Sequence, residues 1–239
     1  MKTAAHLQSM PPYTPIEPFE VLSRRMGRKP EEIVKLDANE NPYGTSPGAR
    51  QALAELRFPH IYPDPENREL RAALSRFTGL PMEFLFAGSG VDELLDLLLR
   101  VLLEPGEAVL ICPPTFGMYA FDTRLNAGRV LDAPRLPDFS VDMQAIHQIV
   151  AESQPKVLFL ATPNNPDGSL PSPAQIDELL QLPLFVVLDE AYIEFSGMGR
   201  LGELGSRISQ VPNRDNLVVL RTFSKWAGLA GLRVGFGAF

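Results

Sequence analysis

The chain has 239 residues, a net charge of −7 and 45% hydrophobic content, enough for one large domain with a sizeable core. Its acidic balance and lack of a basic run speak against a nucleic-acid binder or a membrane-surface protein, while leaving room for a local cationic pocket. The single cysteine, Cys112, cannot form an intrachain disulfide, and no apolar stretch reaches transmembrane length, so a reducing, cytoplasmic setting is expected.

Residues 1–35 carry Pro11, Pro12, Pro15, Pro18 and Pro30 around one short predicted helix over 19–26. So proline-rich a start can bury little by itself and reads as an arm that lies on something else. Within 35–44 the Asn41-Pro42 and Tyr43-Gly44 steps read as a turn. Ser46 and Pro47 supply an N-cap and a first position for a helix over 47–57. A second turn, carrying Tyr62-Pro63-Asp64, precedes a helix over 66–77. The apolar run 84–87 then leads into Gly88-Ser89-Gly90-Val91-Asp92-Glu93, which opens an apolar helix through 94–103. Glycines ahead of a helix let backbone N–H groups approach an anion at the positive end of the helix dipole.

From Glu107 onward, apolar runs at 108–111, 157–161, 185–188 and 217–220 alternate with helix-like segments at 120–125, 141–152 and 173–180. Runs of four to six apolar residues spaced by helices predict a mostly parallel α/β sheet covered on both faces. Ligands of such sheets collect beyond the carboxyl ends of the strands. Those ends carry, in turn, Phe116, then Asn165 with Pro166, then Asp189 with Tyr192, then Thr222, Ser224 and Lys225, with Arg233 eight residues on. Singly, Phe116 reads as core and Asn165 as a turn, whereas Asp189 divides evenly between a helix cap and a ligand, and Lys225 between a loop lysine and a ligand. The four strand ends in this order argue for one ligand site. A last strand is expected over 232–239. His6, His60 and His147 are scattered without metal-ligand spacing, so no metal is expected.

The order aromatic, Asn-Pro, Asp-x-x-Tyr, Ser-Lys and then arginine resembles the fold-type I pyridoxal-phosphate aminotransferases. Asn39-Glu40-Asn41-Pro42 and the stretch from Ser224-Lys225 through Gly228-Leu229-Ala230-Gly231-Leu232 to Arg233-Val234-Gly235 are similar to the histidinol-phosphate aminotransferase branch. The resemblance covers roughly residues 12–239. It implies a three-layer αβα large domain at 46–239, preceded at 1–45 by an arm and part of a small domain. The implied cofactor is pyridoxal 5'-phosphate, with Lys225 as the residue that holds its aldehyde as an imine and later moves a proton. Asp189 keeps the ring nitrogen protonated, Asn165 and Tyr192 donate to the ring oxygen, and Phe116 offers a flat face. Arg233, Ser224, Thr222 and the amides of Gly90, Val91 and Asp92 take the phosphate.

The resemblance further implies a homodimer in which Tyr62 reaches the neighbouring subunit's phosphate, and a substrate mouth formed by Asn39, Tyr43 and Asn165. The expected reaction moves an amino group between L-glutamate and imidazole-acetol phosphate. Other readings are an aromatic aminotransferase, a phospho-amino-acid decarboxylase on the same scaffold, or a noncatalytic fragment. Two departures stand out. Val91 occupies a position where relatives often carry Ala or Ser, and the sequence stops at Phe239, before any arginine that could grip the substrate's acidic group. A chain ending inside a strand is expected to leave a sheet edge uncovered, which favours a fragment of a longer protein.

Overall fold

A computed structural model describes residues 3–8, 10–197 and 205–239. Seven strands form one sheet: β1 (Leu85–Gly88), β2 (Ala108–Ile111), β3 (Arg129–Asp132), β4 (Val157–Ala161), β5 (Phe185–Asp189), β6 (Leu217–Thr222) and β7 (Gly235–Ala238). Their order across the sheet is β1-β7-β6-β5-β4-β2-β3. Strands β3, β2, β4, β5 and β6 are parallel neighbours, whereas β7 is antiparallel to both β6 and β1. Two reversals restore direction, so β1 points the same way as β6, and six of the seven carboxyl ends open on one edge.

The helices are α1 (Phe19–Met26), α2 (Pro47–Ala54), α3 (Arg68–Thr78), α4 (Gly90–Leu102), α5 (Met118–Leu125), α6 (Met143–Ser153) and α7 (Pro173–Leu179). Side chains of a strand alternate between faces, and both faces here are apolar. Val157 and Phe159 of β4, Val187 of β5 and Val218 of β6 pack with Leu94, Leu98 and Tyr119 of α4 and α5. Leu158, Leu160, Val186, Leu188 and Val219 turn the other way, onto Leu74 of α3, Ile146 of α6 and Ile176 of α7. Helix, sheet and helix thus form three layers, the architecture expected from the uninterrupted apolar runs.

The local signals hold where they are chemical. The Ser46 hydroxyl accepts from the Ala49 amide with Pro47 behind it, and Ser172 and Gln175 close a reciprocal capping box on α7. Helix α2 ends at Ala54, three residues short of expectation. Strand β3 was not foreseen, because this edge strand is only half-buried and opens and closes on Arg129 and Asp132. The strand expected over 232–239 begins only at Gly235, because Ala230–Leu232 forms a 3-10 turn and Arg233 takes a left-handed φ of 52°.

One expectation is corrected. The terminal strand β7 leaves no edge uncovered, since it lies between β1 and β6 with all four residues buried. The edges are β1 and β3.

Candidate active site

Asp189 ends β5 and is 4% exposed. Its Oδ1 accepts the Ala191 amide at 3.0 Å and its Oδ2 accepts the Tyr119 hydroxyl at 2.7 Å, but among the described residues it has no ion pair. Burial pushes its carboxyl up to about 6, against the lowering pull of those two hydrogen bonds. A buried anion with a free side on a cleft is a place for a cation.

Across the cleft, the loop after β6 carries Lys225. Its Nζ donates to the Ala38 carbonyl at 2.8 Å and lies 5.6 Å from the centre of the Tyr192 ring. Burial holds the amine below the usual lysine range, opposed by Asp92, Glu40 and Asp189. The N-terminal arm thereby closes one wall of the site. Asn39 donates to the Tyr192 hydroxyl at 3.0 Å and Asn41 to the Trp226 carbonyl at 3.1 Å. Gly228, with φ of 65°, comes so near the arm that a Cβ there would lie 2.3 Å from the Gly44 carbonyl oxygen. A glycine is required at that approach.

The third wall suits an anion. The Arg233 guanidinium donates to the Asp92 carboxylate at 3.1 Å and to the Ser224 hydroxyl at 3.4 Å, beside the N-terminus of the thirteen-residue α4. The Thr222 hydroxyl donates to Ser224 Oγ at 2.9 Å. Gly90 has a φ of 83°, and a Cβ on it would stand 2.6 Å from Arg233 Nη2; one on Gly235 would stand 2.7 Å from the Gly90 carbonyl carbon. Two glycines therefore let an arginine, a strand and a helix start converge.

These walls enclose a cavity of about 620 Å³. Val91, Asp92, Phe116, Asn165, Asp189 and Tyr192 line it, as do Thr222, Ser224, Lys225, Arg233 and Asn39. Gly90 stands directly behind Arg233. Two predicted residues stand apart from the cavity. Tyr43 is 95% exposed at the outer mouth, in an adjoining hollow shared with Lys225 and Tyr192, and Tyr62 is 98% exposed. No group of three or more possible metal ligands occurs among the described residues.

The sequence reading missed three participants. Tyr119, three residues beyond Phe116 and on the first turn of α5, is wholly buried and reaches Asp189; its only signal was its nearness to Phe116. Asn164, 3% exposed, donates to the Pro114 carbonyl at 3.1 Å and accepts from the Thr115 hydroxyl at 3.0 Å, tying the loops after β2 and β4 together. Glu190, next to Asp189, pairs with Arg221 of β6 at 3.0 Å, both buried. That pairing joins residues 31 apart in sequence and left no local mark.

The sequence profile of aminotransferase class I and II matches residues 31–239. The chain belongs to this family. As a class I and II aminotransferase chain it is 56% identical over 234 residues to the chloroplastic histidinol-phosphate aminotransferase of Nicotiana tabacum, and 50% identical over 237 residues to the histidinol-phosphate aminotransferase of Roseiflexus castenholzii. Those alignments take in 98% and 97% of this chain but 55% and 62% of the relatives, so the chain spans little more than half of their length. Its fold is similar to the histidinol-phosphate aminotransferase of Sinorhizobium meliloti solved in complex with pyridoxal 5'-phosphate, with a TM-score of 0.86 and 29% identity over 99% of this chain and 62% of that one. Aspartate aminotransferase of Thermus thermophilus shares the fold at a TM-score of 0.79 and 23% identity, over 100% and 64% of the two chains. No described helix of this aminotransferase chain is long and apolar enough to cross a membrane.

Proposed function

We propose that this chain is the cofactor-holding part of an aminotransferase that uses pyridoxal 5'-phosphate to exchange an amino group between L-glutamate and imidazole-acetol phosphate. The observation that carries the reading is the meeting, in one cleft, of the buried carboxylate of Asp189, the amine of Lys225 with its lowered proton affinity, and the Arg233 corner at the start of α4.

The residues present fit the cofactor. Asp189, anionic and without an ion pair among the described residues, suits a protonated pyridine nitrogen, and the glycine-lined corner at Arg233, Ser224 and Thr222 suits a dianionic phosphate. Phe116 supplies a flat face, and Asn165 and the Tyr192 hydroxyl supply donors for the ring oxygen. When bound, the cofactor contributes an aldehyde that captures an amine and a ring that takes up electrons as the amine's alpha carbon loses its proton. Lys225 would hold that aldehyde at rest and afterwards carry the proton on Nζ. Burial lowers its proton affinity, which favours the neutral form that accepts a proton. The Ala38 carbonyl of the arm accepts from this nitrogen, and residues 36–40 line the same cavity.

The substrate assignment is supported by the Asn39-to-Tyr43 mouth and by the 50–56% identity to the two histidinol-phosphate aminotransferases. The same reading makes 46–239 the large domain and 1–45 an arm with part of a small one. It also proposes a homodimer served by the exposed Tyr62, and a cytoplasmic site of action, which cell fractionation would test.

Absorbance titration with pyridoxal 5'-phosphate, borohydride reduction and mass analysis test the cofactor. The pyridoxyl group should be fixed on Lys225 and be absent from Lys225→Ala, whose turnover should fall by at least about 10³. Half-reactions with histidinol phosphate, phenylalanine and threonine phosphate then rank the substrates. A wild-type protein that develops no new absorbance band would end this reading.

A further inference from the structure

The environment of Asp189 contains a group that the proposed chemistry does not use. Tyr119, on α5, has no exposed surface, and its ring stacks on Phe159 of β4 at 5.2 Å and 11°, with Phe116 edge-on at 5.6 Å and 82°. Its hydroxyl donates to Asp189 Oδ2 at 2.7 Å. A phenol so deeply buried is costly unless its hydroxyl is satisfied, and its partner is the carboxylate at the cleft floor. The same ring touches the aromatic face and the acid, which arise from different strand ends.

We propose that Tyr119 is a positioning residue for Asp189, holding the carboxylate as an anion turned into the cleft before any ligand enters, so that the site is set in advance for a cationic ring nitrogen. The other oxygen accepts from the Ala191 amide, so one backbone donor and one side-chain donor fix a carboxylate that lines the cavity. Other titratable and charged groups face the pair from neighbouring elements. They are Asp92 of α4, Glu190 and Tyr192 after β5, Lys225 after β6, and Arg135 on the Tyr119 side. Asp92 and Glu190 disfavour the anion and Lys225 favours it, but Tyr119 alone among these side chains bonds it directly. Burial drives Asp189 and Tyr119 alike toward their neutral forms, and the hydrogen bond between them offsets this at Asp189.

This inference rests on the proposed cofactor only for its second readout. In the first, aspartate carboxyl carbons of the apo protein are labelled with carbon-13 and titrated by NMR, with the Asp189 signal identified by its loss in Asp189→Asn. Tyr119→Phe keeps the ring and both aromatic contacts while removing the hydroxyl. It should raise the Asp189 midpoint by about one to two pH units, the size of one hydrogen bond to a charged group. Replacement of Tyr119 by 3,5-difluorotyrosine, a stronger donor of equal shape, should move the midpoint down, and Phe159→Leu, which disturbs only the packing, should leave it in place. In the second readout, the pH at which bound pyridoxal 5'-phosphate changes its absorbance should shift in Tyr119→Phe relative to wild type. A wild type that takes up no cofactor defeats the functional reading, yet the carboxyl titration still decides the role of Tyr119. An Asp189 midpoint unmoved by Tyr119→Phe or by the fluorinated ring, or moved equally by Phe159→Leu, overturns the proposal.

Discussion

At Asp189 burial and chemistry pull against each other. Burial pushes the folded carboxyl up to about 6 from its ordinary 3.8. The group therefore contributes stability that is fully present below about pH 4 and is lost as pH rises through 6, on the order of 3 kcal/mol if the anion meets no cation. In the apo protein Asp189→Asn should remove this penalty, so its melting temperature should exceed that of wild type at pH 8 and the gap should close toward pH 4. Cofactor binding should suffer in the same variant, a trade of stability against function. Thermal melts of both proteins across that range check the expectation, and parallel curves would refute it. Tyr119 acts on that conflict directly, since one hydroxyl spans α5 and β5 at the carboxylate oxygen.

Among the elements, glycines and one buried ion pair fix how neighbours approach. At Gly90 an added Cβ meets the mobile end of Arg233 rather than backbone, so the guanidinium gives way. Gly90→Ala should cost about 1 kcal/mol of stability at its left-handed φ and weaken pyridoxal 5'-phosphate binding about tenfold as Arg233 leaves Ser224, measured by absorbance titration. Strands β5 and β6 are bound beneath the site by Arg221, whose guanidinium donates to Glu190 at 3.0 Å and to the Ser206 hydroxyl at 2.7 Å. Arg221→Met would leave the fully buried Glu190 without its cation. Urea unfolding should reveal a loss of about 3–5 kcal/mol. A loss under about 1 kcal/mol would mean that Ser206 and the Arg207 amide satisfy the carboxylate unaided.

For the whole molecule, the proposed homodimer gives the almost fully exposed Tyr62 a task at a distance. Sedimentation should report a dimer for wild type and for Tyr62→Phe alike, with the variant binding pyridoxal 5'-phosphate about tenfold more weakly. A monomeric wild type, or unchanged affinity, would remove Tyr62 from the site. At this scale the sequence was legible in part. The apolar runs at 108–111, 157–161, 185–188 and 217–220 all became strands, and their following residues Phe116, Asn165, Asp189 and Lys225 share one cavity, because a run buried on both faces and a polar residue at its end are local signals. The half-exposed β3 was not legible, and the central place of β7 was misread, because pairing partners are chosen by segments far apart in the chain. Amino-acid order alone thus determined the layered α/β class and which side chains stand at the strand ends. Only the folded chain decided that β7 lies between β1 and β6, that the arm carbonyl of Ala38 meets Lys225, and that a tyrosine 70 residues away bonds Asp189. Such contacts form when distant segments pack, and no spacing along a single stretch encodes which oxygen a buried hydroxyl will find.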